Sequence, residues 1–169
     1  GFLGQLITRH LAMRLPDVRA MRLVRNGAGY IIAESVYTDL TTPELLTDAV
    51  VQSEPDVVIN AAGLINGTPT ELFNANAVFP TILVNALSQS PKPVRLIQIG
   101  SAAEYGLPQR DIPFREDDCC RPVSLYGISK LAGAQAALVR NGVGPLSVVH
   151  LRLFNIVAEV NSPNQVLGA

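Results

Sequence analysis

The chain has 169 residues, of which 48% are hydrophobic and 16% are charged, as suits one domain built on a sheet that is buried on both faces. The net charge of −1 and the scattered basic residues exclude an extended nucleic-acid surface. The apolar runs are shorter than the ~18 residues that a membrane span needs. No basic-then-apolar leader opens the chain, and the adjacent Cys119 and Cys120 are typical of reduced thiols without a metal, so a cytoplasmic protein is expected.

Helical segments and short apolar strands alternate along the sequence. The predicted strands cover Ala20–Val24, Tyr30–Val36, Asp56–Asn60, Val94–Ile99 and Leu146–Leu151. The predicted helices cover Gln5–Leu15, a segment that starts with a hydroxyl cap at Thr42-Pro43-Glu44, Thr70–Ser88 with a kink or break at Pro80, and Leu125–Arg140. This alternation predicts a parallel sheet with right-handed crossovers, so the fold class is α/β, a doubly wound sheet of the Rossmann type.

The two ends of the sequence look incomplete for such a fold. The chain opens directly on Gly1-Phe2-Leu3-Gly4, whereas a Rossmann-type sheet places a central strand before its glycine turn. We therefore expect the first strand and, at the other end, most of the substrate domain to be missing from this sequence. Two half-sheets with unpaired edges would remain.

The strongest chemical signal is the pair formed by Tyr126 and Lys130. Four residues apart on a predicted helix, the phenol and the ammonium lie on the same face. An ammonium and an oxidised nicotinamide both stabilise a phenolate, so the tyrosine can exchange a proton near neutral pH. The alternative is a surface pair on an amphipathic helix.

Ser101 follows the predicted strand Val94–Ile99, at the start of a long loop over residues 100–123. The carboxyl ends of strands in an open α/β sheet form the edge where ligands bind. A hydroxyl there can orient a carbonyl or alcohol oxygen toward Tyr126. Taken alone, the residue is as compatible with an ordinary turn.

Three further segments suit a dinucleotide. Gly1 and Gly4 precede a helix at a spacing that lets a backbone approach a pyrophosphate, although a lone pair of glycines also serves packing. Asp39 is placed to accept a hydrogen bond from an adenine amino group, unless it is a solvated loop acid. The small residues 60–63 end another strand, as a cofactor lying across the strand ends requires.

These features, in this order, resemble the extended short-chain dehydrogenase/reductases, the NAD-dependent epimerase/dehydratase family, over essentially the whole chain. Residues 1–4 are similar to the second half of the family's GxxGxxG turn, and Tyr126 with Lys130 to its YxxxK pair. Leu151–Asn155 resembles the strand and loop whose asparagine reaches the sugar nucleotide. The resemblance implies an NAD(P)-binding domain over residues 1–157, with residues 158–169 beginning a C-terminal substrate-binding region.

The candidate site residues fall into three groups. The catalytic set is Ser101, Tyr126 and Lys130. The candidate substrate-binding residues are Ser101, Ala102 and Asn155. The candidate cofactor-binding residues are Gly1, Phe2, Leu3, Gly4, Arg25, Asp39, Leu40, Asn60, Ala61, Ala62, Gly63, Asn76, Tyr126 and Lys130. No metal ligand is expected.

The resemblance implies that Tyr126 exchanges a proton with a sugar oxygen while hydride moves between the sugar and the nicotinamide. Lys130 would hold the ribose hydroxyls, and Ser101 would orient the substrate. Dehydratases of the family carry Thr-Asp-Glu where this chain has Ser101-Ala102-Ala103, which favours a reductase or an epimerase. The sequence resembles the GDP-4-keto-6-deoxy-mannose reductases most, although Ala158-Glu159-Val160 replaces their usual Gly-Pro-Gly.

The expected function is therefore NAD(P)-dependent reduction of a nucleotide-linked 4-keto sugar. The alternatives are an NAD-dependent sugar-nucleotide epimerase and a non-catalytic NAD(P)-binding protein. Arg25, at the end of the second predicted strand, favours NADP(H) over NAD(H), because an arginine accommodates a 2′-phosphate. The expected partner is a nucleotide-sugar substrate, without nucleic acid or membrane, and a homodimer is left open.

Overall fold

The computed structural model describes residues 2–24, 34–37, 42–108 and 112–156. Parallel strands alternate with helices, which confirms the Rossmann-type α/β fold class. The helices are α1 (Phe2–Arg14), α2 (Pro43–Ser53), α3 (Pro69–Phe73), α4 (Phe79–Leu87) and α5 (Leu125–Leu138), with a π-helical turn at Asn74–Val78 and a 3₁₀ turn at Ala102–Glu104. The strands are β1 (Met21–Val24), β2 (Glu34–Tyr37), β3 (Val57–Asn60), β4 (Val94–Ser101) and β5 (Leu146–Leu153).

Among the described residues, the five strands form two separate parallel sheets. One sheet pairs β1 with β2, and the other has the order β3-β4-β5. This is the division into two half-sheets that the sequence predicted. In the larger sheet, β4 and β5 are paired over their whole length, from Val94 opposite Leu146 to Ser101 opposite Leu153.

The core of the described region lies between the three-stranded sheet and helices α2, α4 and α5. Each of these helices contributes buried apolar side chains to one cluster with the strands. The buried side chains of this cluster are Leu46, Val50, Leu83, Val84, Ala86, Leu87, Val94, Leu96, Ala137, Leu146 and Val148. None of the helices in the described ranges has the length and apolarity to cross a membrane.

Two predicted boundaries differ from the structure at the end of the sheet that matters for function. Strands β4 and β5 continue two residues beyond the predicted ends, to Ser101 and Leu153. Pairing of Gly100 with Arg152 and of Ser101 with Leu153 extends both strands. Neighbouring strands therefore supply order that the local sequence of small and polar residues does not.

The start of α2 confirms the prediction in part. The helix begins at Pro43 with Glu44 in its first turn, as expected. Thr42 occupies the N-cap position as predicted, but its hydroxyl makes no capping hydrogen bond in the described structure. Proline and an acid favour this helix start without it.

The predicted kink or break near Pro80 takes the form of a π-helical turn. The amide of Phe79 donates to the carbonyl of Asn74, five residues earlier. Pro80 has no amide hydrogen, and its ring would clash with the carbonyl of Asn76 in a regular α-helix. The wider turn relieves this clash.

The carbonyl of Asn76 is approached closely by helix α5. A Cβ atom added at Gly133 would lie only 2.0 Å from this oxygen and 3.3 Å from Pro80 Cγ. Real Cβ atoms do not approach an oxygen so closely. A glycine at position 133 is therefore required for α5 to lie against the π-helical turn.

Replacing this glycine should force the two helical segments apart. For Gly133→Val we expect a loss of about 3 kcal/mol in the free energy of unfolding, because overpacking displaces backbone. Urea unfolding followed by circular dichroism measures it. Gln135→Ala, on the exposed face of the same helix, should change stability by less than about 0.5 kcal/mol. Equal stability of the two variants would contradict the close contact.

Candidate active site

The candidate site lies at the carboxyl ends of β3 and β4, the edge at which open α/β sheets bind ligands. The first turn of α1 lies beside the end of β3, since a Cβ added at Gly4 would be 4.0 Å from Ala61 Cβ. Phe2 and Leu3 are half-buried in the same turn. A helix N-terminus next to strand ends favours a negatively charged group there.

Asn60 shapes the chain after β3 and is almost fully buried. Its Nδ2 donates to Gln98 Oε1 on β4 at 2.9 Å, and its Oδ1 accepts from the Ala62 amide at 3.1 Å. Both ends of the amide are thereby used within the protein. Asn60 sets the path of residues 61–63, of which Ala62 and Gly63 are exposed.

Asn76, in the π-helical turn, joins the segment after β3 to helix α5. Its Oδ1 accepts from the Leu64 amide at 2.9 Å, while Nδ2 donates to the Leu64 carbonyl at 2.7 Å and to Ser129 Oγ at 3.0 Å. Ser129 in turn donates to the carbonyl of Tyr126 at 2.8 Å. A fully buried asparagine thus holds three parts of the candidate site together.

The ammonium of Lys130 is buried beside these residues, with 6% of the residue exposed. Nζ donates to the carbonyl of Ile99 on β4 at 2.6 Å. A Cβ added at Gly63 would lie 3.6 Å from Nζ and 3.0 Å from Asn76 Oδ1. Burial lowers the pKa of Lys130 below its ordinary value, and the negative charge of Glu104 offsets part of this effect.

Tyr126 is half-buried and lies one helical turn before Lys130 on α5. The helix begins after Ser124, whose Oγ accepts from the Gly127 amide at 3.1 Å. Gly127 packs directly on the 3₁₀ turn, because a Cβ there would lie 2.5 Å from the Ala103 carbonyl. This contact brings the first turn of α5 against the segment that follows Ser101.

Ser101 is the last residue of β4 and is half-buried. Its Oγ accepts from the Ala103 amide at 3.2 Å, which leaves the hydroxyl hydrogen available to a ligand. Its amide donates to Glu104 Oε1 at 2.8 Å. These reciprocal bonds form a capping box around the 3₁₀ turn and fix the backbone of Ser101.

Sequence reasoning did not single out Glu104, a fully buried carboxylate in this turn. Its Oε2 lies 2.8 Å from His150 Nε2 and 3.2 Å from Arg152 Nε, both on β5. Burial alone would raise the pKa of Glu104, but bonds and charge from His150, together with Ser101 and Arg152, outweigh it and lower the pKa. No local sequence pattern indicates this network, because Glu104 lies in a predicted loop and its partners His150 and Arg152 follow 46 and 48 positions later.

Gly100 makes room for the carboxylate and the imidazole. A Cβ at this position would lie 2.4 Å from Glu104 Oε1 and 2.2 Å from His150 Cε1. The glycine of β4 is thus a packing requirement of the buried contact between the Glu104 carboxylate and the His150 imidazole.

Arg152 extends the network toward the loop after the 3₁₀ turn. Its Nη1 donates to Tyr105 Oη at 3.1 Å and to the Glu116 carbonyl at 3.0 Å. Its guanidinium carbon lies 4.7 Å from the centroid of the Tyr105 ring. Tyr105 also stacks on Phe114, with the ring centroids 4.7 Å apart.

The remaining predicted site residues have two outcomes. Asn155 is exposed two residues after Leu153, the β5 partner of Ser101, so both residues belong to the same edge of the sheet. Ala102 is half-buried in the 3₁₀ turn. Four of the predicted cofactor-binding residues, Gly1, Arg25, Asp39 and Leu40, lie outside the described residues.

The described residues fit a dinucleotide. Gly63 keeps the space beside Lys130 and Asn76 that a side chain would fill. In the described part of the chain, the Lys130 ammonium has one hydrogen-bond partner, so two of its three hydrogens are available to hydroxyl groups. The N-terminus of α1 offers a favourable field for a pyrophosphate.

The model of the NAD dependent epimerase/dehydratase family matches residues 1–169. The chain therefore belongs to this family, as the resemblance in its sequence predicted. The proteins similar to it include some that are named dehydrogenases and others that are named epimerases.

Two curated relatives illustrate this range. The chain is 32% identical to dTDP-6-deoxy-L-talose 4-dehydrogenase (NAD(P)(+)) of Kitasatospora kifunensis, over 99% of this chain and 54% of that protein. It is 29% identical to UDP-glucose 4-epimerase of Mycoplasma genitalium, over 75% of this chain and 39% of that protein. The chain thus spans about half, or less, of the length of these relatives.

A solved structure has the same fold. UDP-glucose 4-epimerase from Brucella ovis in complex with NAD superposes with a TM-score of 0.73, at 23% identity, over 86% of this chain and 48% of that chain. At this level of identity the likeness concerns the fold alone.

The buried carboxylate generates a prediction about acid stability. Because the pKa of Glu104 is lower in the folded protein than its ordinary value of 4.5, its stabilising contribution is present above that value and is lost as the pH falls through the folded pKa. Glu104→Gln should cost about 3 kcal/mol of unfolding free energy at neutral pH, since Arg152 loses its buried partner. This deficit should shrink in acid.

Urea unfolding measured from pH 7 down to about pH 3 tests this prediction. Glu116→Gln removes an exposed carboxylate and should leave the pH profile unchanged. A deficit for Glu104→Gln that stays constant with pH would show that the carboxylate does not have a depressed pKa in the folded state.

Proposed function

We propose that this protein is an NAD(P)-dependent oxidoreductase that reduces a nucleotide-linked 4-keto sugar, with Tyr126 as the proton donor. The observation that carries the proposal is the buried ammonium of Lys130, one turn from Tyr126 at the carboxyl ends of the strands. Burying an ammonium costs desolvation free energy. Buried charged groups with perturbed pKa values cluster at functional sites, which favours a functional role for Lys130. Membership of the epimerase/dehydratase family supports hydride chemistry at this edge.

Each residue has a role that follows from its surroundings. Lys130, fixed by the Ile99 carbonyl, donates its other hydrogens to ribose hydroxyls. Asn76 and Gly63 hold the backbone beside this ammonium. The cofactor, when bound, supplies or accepts the hydride.

Ser101 orients the sugar oxygen. Its Oγ already accepts a hydrogen bond from the Ala103 amide, so its own hydrogen is free to be donated to the substrate. Tyr126 gives its proton to the same oxygen as the hydride reaches the sugar carbon. Asn155, at the same edge, is our candidate contact to the sugar nucleotide.

Two observations favour reduction at C4. Ala102 and Ala103 supply neither an acid nor a base for eliminating water, which argues against a dehydratase. The relative from Kitasatospora kifunensis is named a 4-dehydrogenase of a dTDP-6-deoxy sugar, and reduction of the 4-keto sugar is the reverse of such a reaction. We propose NADP(H) as the preferred cofactor because Arg25 suits a 2′-phosphate.

An epimerase is the second candidate function, favoured by the likeness to UDP-glucose 4-epimerase of Mycoplasma genitalium. A reductase consumes one reduced cofactor per turnover, whereas an epimerase regains its cofactor. Incubation with UDP-glucose and NAD, followed by sugar analysis, distinguishes them. Formation of the 4-epimer without accumulation of reduced cofactor would establish the epimerase and overturn the reductase.

Removing the tyrosine hydroxyl tests the mechanism. For Tyr126→Phe we expect kcat for oxidation of dTDP-6-deoxy-L-talose to fall at least about a thousandfold, because proton transfer loses its group. Cofactor affinity, measured by NADPH fluorescence, should change less than about twofold, since the phenyl ring stays in place.

Ile128→Val, an exposed position on the same helix, is the matched control and should retain full activity. If Tyr126→Phe keeps wild-type turnover with this substrate, Tyr126 is not the proton donor.

Arg25 determines the cofactor preference in this proposal. We expect NADPH to bind at least about tenfold more tightly than NADH, and Arg25→Ala to remove this preference, because a charge-assisted bond to the 2′-phosphate is lost. Fluorescence titration with both cofactors measures the two affinities. Arg9→Ala, an exposed change on α1, should preserve the preference. Tighter binding of NADH by the unmodified protein would contradict Arg25 as a phosphate contact.

A further inference from the structure

We propose that Glu104 is a positioning residue, whose carboxylate couples β5 to Ser101 and thereby sets the orientation of the serine hydroxyl for turnover. This inference rests on the proposed function of Ser101. It is carried by the hydrogen bonds of one buried side chain that reaches both the backbone of Ser101 and two basic residues.

The two carboxylate oxygens have separate tasks. Oε1 accepts from the Ser101 amide at 2.8 Å, and Oε2 lies within hydrogen-bond distance of both His150 Nε2 and Arg152 Nε. Since a carboxylate oxygen only accepts, His150 Nε2 carries a hydrogen. Three donors from two segments therefore converge on one side chain that has no exposed surface.

An amide cannot replace this carboxylate. Glutamine has one accepting oxygen, and its NH₂ group only donates. If the oxygen faces Ser101, the NH₂ group meets the hydrogen of Arg152 Nε, and it can bond His150 only after the imidazole hydrogen moves from Nε2 to Nδ1. If the amide is turned over, the Ser101 amide loses its acceptor. In both cases at least one of the three hydrogen bonds of the carboxylate, to Ser101, His150 or Arg152, is lost.

The orientation of the Ser101 hydroxyl depends on the link between β5 and Ser101. Ser101 has extended backbone angles of φ −147° and ψ 147°, and its Oγ accepts from the Ala103 amide inside the same capping box. The bond from the Ser101 amide to Glu104 closes that box. Opening it frees the 3₁₀ turn, so the hydroxyl no longer points in one fixed direction toward the substrate.

The network also lies next to Lys130. The lysine donates to the Ile99 carbonyl, two residues before Ser101. Gly100 lies between these two residues, and a Cβ atom at that position would collide with the Glu104 carboxylate. The negative charge of Glu104 acts on the ammonium and raises its pKa against the effect of burial. A single carboxylate thus acts on both Ser101, through a hydrogen bond, and Lys130, through its charge.

A double-mutant cycle on the full-length enzyme tests the inference. Glu104→Gln should lower kcat for oxidation of dTDP-6-deoxy-L-talose about tenfold to a hundredfold, with KM and NADPH affinity changed less than about twofold, because misorientation affects the reacting geometry. In a Ser101→Ala background, the same substitution should change kcat less than about twofold. Glu116→Gln, an exposed carboxylate-to-amide change, should have no effect.

All rates are expressed per folded enzyme, so a loss of stability alone does not lower kcat. If Glu104→Gln does not fold, the pair Glu104→Gln with Arg152→Gln removes both buried charges and should show the same loss of kcat and the same dependence on Ser101. An unchanged kcat, or equal losses with and without Ser101, would overturn the inference. If Ser101→Ala and Tyr126→Phe themselves retain full turnover, the proposed function fails instead.

Discussion

The close approach of α5 to the ends of the strands is the constraint on which the rest of the candidate site depends. At two positions of this helix only a hydrogen atom fits, since side chains at Gly127 and Gly133 would collide with the carbonyls of Ala103 and Asn76. Lys130 lies between these two contacts. Its side chain therefore reaches the Ile99 carbonyl. Displacing the helix by the width of one methyl group would move the ammonium away from the sheet edge.

Burial of charge explains the polar contacts around this helix. An ammonium and a carboxylate taken out of water each cost several kcal/mol unless they are paired and hydrogen-bonded. Lys130 is held by a carbonyl, and Glu104 by a backbone amide and two basic side chains. Because these partners occupy fixed positions in the sheet, the same bonds that offset desolvation also make the strand end rigid. Rigid strand ends suit the precise alignment that the proposed reaction requires.

Relatives of this chain are named for more than one reaction, a dehydrogenase and an epimerase among them. In the proposed mechanism, proton exchange at Tyr126 and hydride transfer would belong to both reduction and epimerisation. The two reactions differ in what happens to the cofactor, because a reductase exchanges it at each turnover and an epimerase retains it. Cofactor affinity is therefore as informative about this protein as the geometry of the candidate site.

The sequence by itself determined the properties that depend on neighbouring residues. Apolar spacing located α1, the start signal Thr42-Pro43-Glu44 located α2, and short apolar runs located the strands. The spacing of Tyr126 and Lys130 placed both side chains on one helix face. These patterns are local, because the period of a helix or strand is written in consecutive residues. They also sufficed for the fold class and the family.

Only the tertiary structure decided which distant residues became partners. Asn76 bonds Ser129 across 53 positions, and Glu104 meets His150 across 46. The last residues of β4 became a strand, and the loop acid Glu104 became buried, because β5 lies alongside them. No periodicity in the chain encodes such contacts, since they depend on the order in which parallel strands assemble and on how closely a helix packs on their ends.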